Sequence, residues 1–122
     1  KISATDLAKY MTMHMNYGKL GSVQIISEES SQLMQSEIIN AGNNIFYGFA
    51  LEHAYNLIPE ENMVGHTGSA YGLYSAMFFE PEKKFGFVII SNGAADGYVE
   101  GFANIQRETI RVLYDYFIRY NE

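Results

Sequence analysis

The sequence predicts an α+β domain in which helices flank an antiparallel sheet. Three observations carry that prediction. Helix-periodic apolar positions occur at the start of the chain and again at its end. Between them lie closely spaced runs rich in aromatic and β-branched residues. Two of those runs are joined only by Pro81-Glu82-Lys83-Lys84, a polar connection short enough for a hairpin.

The elements follow in order. Ser3 is placed to cap a helix, with Asp6 three residues on for a capping box and Ile2 and Leu7 set for a hydrophobic staple. Leu7, Tyr10, Met11 and Met15 recur at helical spacing and Gly18 offers a stop, so the first helix is predicted over 4–17. Ser27-Glu28-Glu29 reads as a second helix start, its acids suited to the dipole, with Leu33 and Met34 as the apolar side. Residues 41–44 form a turn cluster, Ala-Gly-Asn-Asn. Four strands are predicted next, over 45–52, 63–68, 72–80 and 85–92. The hairpin strands are apolar on both faces: Leu73, Met77 and Phe79 alternate with Tyr74, Ala76 and Phe78. Both faces of the sheet must therefore be covered. After a loop at 93–97 the remainder reads as one long helix. Val99, Phe102, Ile110, Leu113 and Phe117 mark its buried stripe, and Arg107, Arg111 and Arg119 lie mostly outside it. The predicted order is α-α-β-β-β-β-α, with the C-terminal helix over one face and the two N-terminal helices over part of the other.

Composition narrows the function classes. A chain of 122 residues with 48% apolar and 18% charged content has a core's worth of material for one domain. Its net charge of −6 and scattered basic residues argue against nucleic acid and anionic membrane surfaces as partners. No apolar run approaches the roughly 20 residues of a bilayer span. With no cysteine there is neither a thiol nucleophile nor a cysteine-ligated metal.

The sharpest local signal is Gly65-His66-Thr67-Gly68-Ser69-Ala70-Tyr71-Gly72. Three glycines in eight residues beside a strand point to a close approach of backbone, and His66 and Thr67 interrupt an apolar region. A bland alternative is a glycine-rich strand end with a hydrogen-bonded histidine. Other polar groups read as structural. His14 and His53 share no ligand spacing with His66, so no metal or other cofactor is expected. His14 reads as a surface or boundary residue, Glu60-Glu61 as a solvated loop, and Met11, Met13 and Met15 as helix packing.

His66-Thr67-Gly68 resembles the Lys/His-Thr/Ser-Gly motif of the penicillin-binding-protein/β-lactamase superfamily of serine hydrolases. The likeness extends to Tyr47-Gly48-Phe49-Ala50-Leu51, similar to that superfamily's preceding Tyr-Gly-Leu-Gly-aromatic strand. It includes Gly72, Glu80-Pro81 and the Val88-Ile89-Ile90-Ser91-Asn92 strand ending. The resemblance implies that 1–122 is a single C-terminal segment of a larger β-lactamase-like catalytic domain. It implies an oxyanion-hole role for the backbone N–H of Ser69, substrate contact at Thr67 and Gly68, and hydrogen bonding or charge from His66. Histidine, unlike lysine, is not permanently charged near neutral pH, so peptidase or esterase chemistry is favoured over a dedicated β-lactamase.

The nucleophile is not in the chain. No lysine has a serine three residues before it, and no tyrosine or serine is followed two places later by asparagine. A Gly-x-Ser-x-Gly elbow is also absent. The resemblance therefore implies an intact enzyme acting outside the cytoplasm on a small peptide, ester or β-lactam, and a segment that is inactive alone. It also implies that the segment associates with itself through an exposed sheet edge. The alternatives are a non-catalytic module binding a peptide or partner, and a structural domain that dimerises through that edge.

Overall fold

A computed structural model describes residues 2–121. The fold is α+β, with a six-stranded antiparallel sheet and three α-helices. Helix α1 (Ala4–Met15) is followed by a two-strand ribbon, β1 (Lys19–Leu20) and β2 (Val23–Gln24), and by α2 (Glu28–Met34). The main sheet is β3 (Ile39–Gly42), β4 (Ile45–Tyr47), β5 (Glu52–Ala54), β6 (Met63–Ala70), β7 (Leu73–Glu80) and β8 (Phe85–Ser91), each paired with its neighbour in sequence. A second ribbon, β9 (Tyr98–Val99) and β10 (Phe102–Ala103), leads into α3 (Asn104–Phe117) and a 3-10 turn, Arg119–Asn121.

Local chemistry accounts for most of the boundaries. The Ser3 hydroxyl accepts from the Asp6 N–H at 3.1 Å and donates to the Asp6 carboxylate at 2.9 Å, so Asp6 reaches the hydroxyl rather than the backbone of the cap. α1 ends at Met15, two residues before the predicted limit, because Tyr17 and Gly18 turn to positive φ. Ser27 caps α2 through the Ser30 N–H. The single strand predicted over 45–52 is two strands, β4 and β5, folded about Gly48–Leu51, with the Gly48 N–H donating to the Leu51 carbonyl at 2.8 Å. Ala41 and Gly42 belong to β3, and the turn itself is Asn43-Asn44, both at positive φ. The β7–β8 hairpin through 81–84 forms as predicted, closed by the Lys84 N–H on the Glu80 carbonyl at 3.0 Å.

The long final helix begins at Asn104, not after Gly97. Gly97 and Gly101 at positive φ turn 98–103 into a ribbon. Its predicted stripe is correspondingly incomplete: Phe102 and Ile110 are buried, but Val99 and Phe117 are exposed. Arg111 is not outside the fold. Its guanidinium donates to the Leu57 carbonyl at 2.8 Å and the Asn56 carbonyl at 3.1 Å, tying α3 to the loop after β5.

Both faces of the sheet are covered. On one, α1 brings Met11 against Leu51, Val64, Met77 and Phe79. On the other, Ile110 and Tyr114 of α3 meet Met63, Ala76, Phe78 and Phe87, with Phe102 edge-on to Phe78. Alternation along β6 and β7 divides the side chains between these two cores. Two polar groups expected near solvent are interior. His14 is 1% exposed, and Glu61 is held under α3 by Lys83 Nζ at 2.7 Å and the Tyr114 hydroxyl at 2.6 Å.

Candidate functional site

The site is built on β6. Across β6–β7 the register is unbroken from Val64↔Phe79 to Ala70↔Leu73, but β5 pairs only with Met63, Val64 and Gly65. Among the described residues, His66 to Ala70 have a strand on one side only. Gly65 is where the two ladders crowd together: a Cβ there would lie 1.8 Å from the Met77 carbonyl oxygen. Only glycine fits.

The hydrogen-bonding parity of this open edge follows from the turn before it. Since the Gly48 N–H bonds the Leu51 carbonyl, Phe46 and His53 exchange bonds, and Glu52 and Ala54 turn toward β6. Their partners are Gly65 and Met63. Odd-numbered residues of β6 thus aim backbone groups toward β5, while Val64, His66 and Gly68 bond β7. Beyond the start of β5, the N–H and C=O groups of Thr67 and Ser69 face the unpaired edge.

Side chains obey a different alternation. His66 and Gly68 stand on the α1 face, and Thr67 and Ser69 on the α3 face. The side chains of His66 and Thr67 therefore leave the strand in opposite directions and share only the edge. The His66 ring folds toward that edge, where Nδ1 contacts the Thr67 carbonyl and the Tyr47 ring stands edge-on with centroids 6.2 Å apart. His66 and Ser69 are exposed, and Thr67 and Gly68 half-buried.

Three residues hold this arrangement: Tyr47, which opens the strand quoted with the motif, and Glu52 and Gln106, which motif reasoning did not single out. The Tyr47 hydroxyl is hydrogen-bonded to the buried Glu52 carboxylate. That bond first, then burial and the carboxylate's charge, pushes the phenol up to about 12. Gln106 is 1% exposed; its Nε2 donates to the Ser75 carbonyl at 2.7 Å and the Gly68 carbonyl at 3.2 Å, and its Oε1 accepts from the Ala103 N–H at 3.0 Å. One amide thereby locks the start of α3 to the strand pair beneath the site. Glu52 stood at the end of an aromatic run and Gln106 inside a helical stripe, and neither position marks a site by spacing.

On the α1 face a pocket of about 220 Å³ opens beside His66, Thr67 and Gly68, walled by Leu7, Tyr10 and the Ala50-Leu51 turn. A Cβ at Gly68 would come within 2.6 Å of the Ser75 hydroxyl, so the missing side chain keeps the pocket floor open. The structure does not bring His14, His53 and His66 together, and no group of three metal-ligating side chains occurs among the described residues. Nor is any helix among them long and apolar enough to cross a membrane. No protein-family model matches the chain, and no curated protein matches it.

Proposed function

We propose that this chain is the His-Thr-Gly part of a serine hydrolase resembling penicillin-binding proteins and β-lactamases, which cleaves an amide or ester through an acyl-enzyme. The observation that carries the reading is the half-paired strand: β5 begins only at Glu52, opposite Gly65, and residues 66–70 keep one edge free. A carbonyl oxygen brought to that edge meets the Ser69 N–H, a donor fixed by the ladder behind it. A fixed donor aimed at a developing oxyanion supplies roughly 3 kcal/mol of transition-state stabilisation. Gly68 lets the substrate lie close, the Thr67 N–H offers a further donor, and exposed His66, whose Nδ1 contacts the Thr67 carbonyl, has its other ring nitrogen to offer. Sequence outside 1–122 supplies the serine and its base, since the chain holds no Ser-x-x-Lys. The peptidase and esterase branches, acting outside the cytoplasm, fit His66 best.

The test treats the full gene-encoded protein with a p-nitrophenyl ester, a chromogenic β-lactam and a fluorescent acylating probe. The expected result is one labelled serine outside 1–122, with 1–122 alone unlabelled and inactive. His66→Ala should lower turnover about 10²-fold while leaving the melting temperature nearly unchanged. Labelling of a serine within 1–122, no labelling at all, or full activity in folded His66→Ala protein overturns the reading.

The same edge supports a second reading. Unpaired N–H and C=O groups are a template for an added strand, so a non-catalytic module would take an extended peptide along 66–70. Saturable peptide binding by a full-length protein that no acylating probe labels would select it.

A further inference from the structure

The pocket beside His66 does not end at Gly68. Leu7 and Ser75, two of its walls, also line a second cavity of about 410 Å³ whose remaining walls are Ile2, Leu73 and Ile90. The register explains the continuity. Gly68 pairs with Ser75 and Ser75 with Ile90, so these residues form one row across β6, β7 and β8 on the α1 face. The first position carries no side chain and the second a small one. The row is consequently a trough, roofed by the first turns of α1, that begins at the open edge and ends among aliphatic side chains. Ile2 is 54%, Leu73 43% and Ile90 37% exposed, more than residues of their kind retain when a fold covers them fully.

From this continuity we infer the substrate class: the trough takes the aliphatic chain of a lipophilic acyl ester whose carbonyl lies at the Thr67–Ser69 edge. The inference rests on the hydrolase reading and extends it. One end of the trough offers backbone donors and an imidazole, and the other offers Leu73, Ile90 and Ile2 with no charged group among the walls. An amphiphile with its polar end at β6 satisfies both, whereas a short or charged acyl group leaves the apolar end in water. Each methylene buried along the trough should strengthen transition-state binding about fourfold until the trough is full.

Two measurements test this and separate it from the reading beneath it. The first titrates the 1–122 chain with 1-octanol, using ethanol as control, and follows amide and methyl resonances. Perturbations centred on Leu73, Ser75 and Ile90 are expected. Perturbations confined to the other apolar pocket, between Met13, Leu20, Ile26 and Met34, or none at all, overturn the inference. The second measures kcat/KM of the full protein on p-nitrophenyl esters from acetate to decanoate. The value should climb with chain length, and Ile90→Thr, which keeps the β-branch a strand favours, should flatten the climb and cut octanoate turnover about tenfold. Equal turnover of all lengths removes the inference and leaves the hydrolase standing. Octanol binding in the trough by a protein that hydrolyses no ester leaves the trough and removes the hydrolase.

Discussion

Near the C-terminal end of α1, His14 is sealed from water, with neither ring nitrogen hydrogen-bonded; the Tyr10 ring stands edge-on at 4.6 Å. Burial disfavours the imidazolium and lowers the pKa of His14 below its ordinary 6.5. The unfolded chain therefore takes up this proton first as pH falls. The contribution of neutral His14 to stability is complete above pH 6.5 and is lost as pH drops from there through the depressed folded value. Urea midpoints should fall between pH 7.5 and pH 5.5, and His14→Leu should remove most of that fall while keeping the helix. An unchanged slope in the variant would place the sensitivity elsewhere. The sequence had suggested a surface histidine here, because helical spacing locates a stripe but not its edges. His14 lies beside Met11 on the helix surface, and α2 with the β1–β2 ribbon widens the covered area around it.

At the scale of elements, Gln106 joins what the chain order separates. It terminates the unpaired Ala103 N–H at the start of α3 and adds bonds to two carbonyls of the β6–β7 ladder. Gln106→Leu keeps the volume but strands a buried N–H, which should cost about 2 kcal/mol in urea unfolding. Because the Gly68 carbonyl loses the same anchor, turnover by the hydrolase proposed above should fall further than stability alone explains, and Gln106→Glu, which sets a buried carboxylate oxygen against two carbonyls, should not restore the fold. The sheet's long strands were legible in advance because β6, β7 and β8 are long enough for alternation to show. The short pieces were not. Tyr47 and Glu52 belong to one continuous aromatic-rich run, and only Ala50 at positive φ reveals the reversal between them. Likewise Val99 and Phe102 sit at helical spacing, yet Gly101 breaks the backbone between them. The sequence marks His66-Thr67-Gly68 as unusual, but the feature that exposes these residues is the late start of β5 at Glu52, opposite Gly65, which depends on tertiary pairing.

For the whole molecule, the decisive boundaries are the edges of the sheet. Among the described residues β3 and β8 each have a partner on one side only, and β6 is bare beyond Gly65. Exposed Val23, Ile25, Leu33, Ile38 and Ile39 add apolar surface away from the two cores. Edges and patches of this kind recruit further chains, and the net charge of −6 opposes that only at long range and low salt. Light scattering of 1–122 across a concentration series should show self-association that strengthens with salt. A monomer at every concentration, with hydrogen-exchange protection along these bare edges, would show that side chains already shield them.

The strict neighbour-to-neighbour order of the main sheet also has a kinetic meaning. Every strand from β3 to β8 finds its partner next along the chain, so no distant segment need be captured before pairing begins. β6 and β7 close about a two-residue turn, Tyr71-Gly72, whose positive φ values suit the twist of a hairpin. The strand bearing the site is thus among the first that folding can assemble, and its bare side exists before α3 arrives to brace it. A nascent chain carries its open edge early, and the interval before Gln106 docks is when that edge is most open to a wrong partner.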